Sequence, residues 1–68
     1  MFQKEVGNRI RKAREAANMT QAELAAQIGV WQSKIAAYEA GTVDVSLDRF
    51  CLIARALNKL PSELLENL

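Results

Sequence analysis

The chain has 68 residues, half of them apolar, and a formal net charge of +1. A chain this short supports one hydrophobic core at most, so residues 1–68 read as a single domain near the lower size limit for independent folding. With no histidine and a single cysteine, Cys51, it offers no metal-ligand set, no Ser-His or Cys-His nucleophile pair and no intrachain disulfide.

Nothing resembles a glycine-rich phosphate cradle, so neither catalysis nor a cofactor, metal or small-molecule ligand is expected. The lone thiol suits a reducing compartment. The opening MFQKEVGNRI lacks the apolar core of a signal peptide, and no run approaches membrane-spanning length. A cytoplasmic protein without membrane association is the expectation. Alanine is abundant, Pro61 is the only proline and β-branched runs are absent, which points to an all-α domain. Charge is unevenly placed. Residues 1–41 hold six basic and four acidic side chains, net +2, and residues 42–68 three and four, net −1.

The first helix is expected from Phe2 or Lys4 to Ala17. Phe2, Val6, Ile10, Ala13 and Ala17 recur at spacings of three and four and share one face. Asn18 is a natural stop, because asparagine tolerates the left-handed conformation. The charges Lys4, Arg9, Arg11 and Lys12 are either a solvated face or a phosphate-facing patch.

Thr20-Gln21-Ala22-Glu23 has the pattern of a capping box and opens a second helix. Leu24, Ala25 and Ile28 face inward, and Gly29 turns the chain sharply. A third helix follows from Trp31 or Gln32 to Ala40, burying Val30, Ile35 and Tyr38 and stopping at Gly41. Ser46 is a good N-cap for a fourth helix to about Leu57, with Asp48 in its first turn. Cys51 reads as a small buried hydrophobe within it. A fifth helix begins at Pro61, which favours the first helical position, and runs to the C-terminus.

The spacing within residues 21–38 is specific. From Gln21, an apolar residue stands fourth (Leu24), a small one fifth (Ala25), a glycine ninth (Gly29) and apolar residues eighth, tenth, fifteenth and eighteenth (Ile28, Val30, Ile35, Tyr38). Ala25 must be small where two helices cross, Gly29 must turn the chain, and the apolar set holds the later helix with its outer face protruding. This is the pattern of a DNA-binding helix-turn-helix, whose protruding helix fits the major groove.

From about Asn8 to Leu65 the chain resembles the phage repressor/Cro-type, or XRE, family. The resemblance is carried by TQAELA, IGV, a helix ending YEAG, a serine-started fourth helix and PSELL. It implies a lambda repressor-like bundle of five helices and a transcription regulator, dimeric in most members and often a repressor. By the same resemblance Gln21 contacts a phosphate and buttresses Gln32, the first glutamine of the recognition helix. Arg14, late in the first helix, pairs with Glu39, late in the third, and can also face a phosphate. Ser33, Lys34 and Ala37 are the other outward positions. Gln32 can pair bidentately with adenine, Ser33 can reach a base or phosphate, Lys34 a phosphate, and Ala37 a thymine methyl.

Three departures stand out. Trp31 occupies a position where small polar caps are usual. Its ring can rest on the second helix, pack on sugar-phosphate, touch a thymine methyl or meet a protein. Ala36, Ala37 and Ala40 leave few hydrogen-bonding groups on the third helix, which favours a low-information site or readout of DNA shape. The loop Thr42-Val43-Asp44-Val45 has no positive charge. Thr42 is its candidate DNA contact, and fewer phosphate contacts mean weaker binding and a shallower salt dependence.

Leu52 and Ala56 exceed what one core stripe needs, and Leu60, Leu64 or Leu68 can join them. They form a dimer surface, unless the fifth helix simply covers them. The combined expectation is a homodimeric repressor reading a palindromic operator on double-stranded DNA. An antitoxin or controller type with a protein partner stays open, as does a protein-interaction module with a weakened DNA face.

Overall fold

The computed structural model describes residues 2–66. In chain order come α1 (Phe2–Ala16), α2 (Gln21–Ile28), α3 (Gln32–Ala40), α4 (Leu47–Ala56) and α5 (Pro61–Leu64), with no strand among the described residues. The boundaries follow from local chemistry. Asn18 takes φ 58°, which lets the Met19 N–H donate to the Arg14 carbonyl at 3.1 Å and closes α1. At the start of α2 the Glu23 N–H donates to Thr20 Oγ1 at 3.0 Å and the Thr20 N–H to Glu23 Oε1 at 2.8 Å, so both halves of the capping box are made. Gly29 takes φ 74° and sends the chain into α3 after a gap of three residues.

The fourth helix is capped by Ser46, whose Oγ accepts from the Arg49 N–H at 3.2 Å. It ends as α1 does: Asn58 takes φ 57° and the Lys59 N–H donates to the Ala54 carbonyl at 2.8 Å. At the start of α5 the Glu63 carboxylate accepts from the Leu60 N–H at 2.7 Å. This helix stops at Leu64 and does not reach the C-terminus as expected. Arg9 of α1 donates to the Leu64 and Glu66 carbonyls, which occupies the last carbonyls of the turn.

Four helices each supply one fully buried side chain to the centre: Ile10, Leu24, Ile35 and Ile53. Val6, Ala25, Tyr38, Phe50, Ala54, Leu57 and Leu64 surround them. Burying an aliphatic side chain of this kind contributes about 1.5–3 kcal/mol, which is the main force holding so short a chain together. The first helix packs across α3, α2 lies between α3 and α4, and α5 closes the gap between α4 and α1.

Three expected core positions differ. Phe2 is exposed because it precedes the stretch of α1 that meets the core, and Ala17 is exposed because α1 ends at Ala16. Cys51 is exposed, not buried, because Phe50, Ile53, Ala54 and Leu57 define the inward side of α4 and Cys51 falls off that side.

Gly7 has a role the apolar spacing does not reveal. A Cβ there would lie 2.2 Å from the Tyr38 carbonyl oxygen and 2.6 Å from that of Glu39. Only glycine lets α1 approach the C-terminal carbonyls of α3 so closely. The position is legible in retrospect, since glycine inside a helix costs about 1 kcal/mol against alanine and signals close packing.

Candidate nucleic-acid interface

The site is assembled around Glu39, near the C-terminus of α3. Arg14 Nε donates to Glu39 Oε2 at 2.6 Å and Nη2 to Oε1 at 3.1 Å, a bidentate pair whose side chains are 11% and 4% exposed. The remaining arm, Nη1, donates to the Met19 carbonyl at 2.7 Å. The guanidinium holds its proton even more firmly than arginine ordinarily does, chiefly through the hydrogen bond to Glu39, against an opposing effect of burial. All three guanidinium nitrogens donate within the protein, which commits Arg14 chiefly to holding α1 against α3.

From Glu39 the network runs outward. Gln21 Nε2 donates to Glu39 Oε1 at 3.0 Å, and Gln32 Nε2 donates to Gln21 Oε1 at 3.4 Å. A chain of four side chains thus links α1, α2 and the exposed first residue of α3. Both polar ends of the Gln21 side chain take part in it, the Nε2 as donor and the Oε1 as acceptor. Among the described residues no buried side-chain polar atom lacks a partner.

Gln32, Ser33 and Lys34 are exposed side by side on α3, and Ala37 is half-buried beside them. Thr42 is exposed but its Oγ1 donates to the Ala37 carbonyl at 3.3 Å, so its proton serves the end of α3. Trp31 does not rest on α2; it is 84% exposed at the N-cap of α3 and makes no capping hydrogen bond.

No motif marks Arg49. It lines a shallow concavity together with Trp31, Ser33, Lys34 and Ala37, so α4 places a cation beside α3 where the loop 42–45 supplies none. One signal was available: a cation in the first turn of a helix opposes the helix dipole and therefore has another use. Of the basic residues on α1, Arg9 clamps the end of α5 and Arg11 donates to Asn8 Oδ1 at 2.7 Å.

The expected dimer surface is split. Leu52 and Leu60 are exposed, at 40% and 65%, and Ala56 is half-buried. Leu64 is 4% exposed and belongs to the core, because α5 turns it inward against α4. Leu68 lies outside the described residues.

A capped short helix, a glycine turn and a second helix whose polar outer face is held by a buried ion pair define a DNA-binding transcription regulator of the helix-turn-helix class. The Helix-turn-helix family model matches residues 10–64, and the chain belongs to that family, in its Cro/C1 (XRE) type. Among solved structures it is similar to the restriction-modification controller protein C.AhdI from Aeromonas hydrophila, at 34% identity over 91% of this chain and 94% of that one, with a TM-score of 0.88. Two structures of the clp gene regulator ClgR from Corynebacterium glutamicum share the fold at 23% identity, with TM-scores of 0.94 and 0.93. They match 96% of this chain and 69% and 84% of theirs. Among curated proteins none matches. No helix among the described residues is long and apolar enough to cross a membrane.

Proposed function

We propose that the chain acts as a homodimeric repressor that reads a palindromic operator by laying α3 in the major groove. The observation that carries this reading is the relay from Arg14 through Glu39 and Gln21 to Gln32. It orders an exposed amide at the N-terminal end of a protruding helix, which is what bidentate recognition of adenine requires. Ser33 supplies a second base contact. Lys34, Arg49 and Gln21 hold phosphates, which position the protein without reading sequence.

A dimer is supported by the exposed Leu52 and Leu60, and by the need of a small module for paired half-sites to reach useful affinity. With α3 reading the groove, repression by blocking polymerase is the simplest outcome, exerted in the cytoplasm and without a catalytic step. The similarity to the restriction-modification controller protein C.AhdI favours one variant of this reading, the controller type.

Selection from a random duplex library at low salt, with Gln32→Ala in parallel, tests the proposal. The parent is expected to enrich a palindrome that the variant fails to select. Failure of the parent to enrich any sequence would replace this reading with that of a protein-binding module.

A further inference from the structure

Trp31 stands at the N-cap of α3 with most of its indole in water. It lines, with Val30 and Ala37, the apolar part of the concavity on the side of α3 that faces α4, and Lys34 and Arg49 supply two cations there. On the other side of α3, Gln32 is turned towards Gln21. The two flanks of the recognition helix therefore differ in chemistry: one carries an oriented amide, the other an apolar recess bordered by positive charge.

In the major groove of B-DNA the apolar group that a base edge presents is the C5-methyl of thymine, and it lies between two rows of phosphates. An exposed indole gains when such a group covers it, and the two cations match the flanking phosphates. We infer that the recess formed by Trp31, Val30 and Ala37 takes the C5-methyl of one thymine in each half-site, with Lys34 and Arg49 on the phosphates beside it. Trp31 is then a specificity residue, and the half-site contains an adenine read by Gln32 and a thymine read through its methyl. This inference rests on the DNA reading proposed above.

The test uses the full chain and the duplex it selects. Each thymine is replaced in turn by deoxyuridine, which removes only the methyl, and affinity is measured by fluorescence anisotropy at fixed salt. One position per half-site is expected to lose about fourfold, the worth of one buried methyl. Trp31→Ala is expected to bind the parent duplex and that deoxyuridine duplex equally; its circular dichroism checks that the exposed position leaves the fold intact. A flat scan on a duplex that the parent selects would overturn the methyl pocket alone and leave the recess to another occupant, such as a protein loop. A thymine-specific loss that persists in Trp31→Ala would overturn the assignment of Trp31. Absence of any selected duplex would remove the DNA reading and this inference together.

Discussion

Arg14 and Glu39 stand 25 residues apart in sequence and meet in a bidentate ion pair at 2.6 and 3.1 Å. The pair ties α1 to the far end of α3, and its carboxylate also receives the amide of Gln21 at 3.0 Å. Its contribution is orientation more than net stability, since desolvating two charges offsets much of their attraction. Breaking it from one side is a different matter, because the partner charge is then left buried.

Arg14→Ala should therefore lower unfolding free energy by about 3 kcal/mol in urea titration. That is a large share of the few kcal/mol expected for a domain this size. The sign of the pH dependence is also set. The raised proton affinity of Arg14 means its contribution is complete below arginine's ordinary range and is lost only as pH rises through still stronger alkali. Stability of the parent should consequently show no loss attributable to this pair between neutral and mildly alkaline pH. A drop there that Arg14→Ala abolishes would contradict the assignment.

Gln32 and the cations near it should separate by kind of effect. Gln32→Ala is expected to cost about 1–3 kcal/mol on the selected operator at one base position per half-site, and little on random duplex. Lys34→Ala and Arg49→Ala should weaken all sequences alike and, with the change present in both subunits of the proposed dimer, each reduce the salt slope by about two. Filter binding across a salt series distinguishes the two patterns.

Gly7→Ala should be disruptive despite alanine's better helix propensity. The added carbon meets backbone, not a movable side chain, with the Tyr38 oxygen at 2.2 Å. A loss of about 1–3 kcal/mol or more is expected in urea unfolding, with α1 displaced from α3. Gly29→Ala provides the contrast: a Cβ there meets nothing within 4 Å, and only the left-handed φ of 74° opposes it. About 1–2 kcal/mol is expected from that strain alone.

Leu60→Asp and Leu64→Asp should diverge. Leu60 is exposed, so a charge there should leave the fold intact and, in the proposed homodimer, raise the dissociation constant by roughly tenfold or more in sedimentation equilibrium. Leu64 is buried, so the same change should unfold the chain. A folded Leu60→Asp dimer of unchanged affinity would move the interface elsewhere.

Much of this protein is written locally. Thr20 and Glu23 cap because their side chains reach backbone three residues away, and Asn18, Gly29 and Gly41 stop helices because of what their own φ angles permit. Such interactions need no distant partner, so residue type and spacing suffice to locate them. The Arg14–Glu39 pair and the Gln21–Gln32 contact were legible too, but through resemblance to a family, since nothing local brings these residues together. What the amino-acid pattern leaves open is which side of each helix meets a neighbour. Cys51 is exposed because α4 carries apolar residues on two sides and can be buried on either, while Leu64 is buried because α5 packs against α4 and α1. The packing of α4 between α2 and α5 makes that choice. Arg49 joined the candidate interface for a related reason: it is local to α4, but its position beside Lys34 exists only once α2 has packed against both α3 and α4.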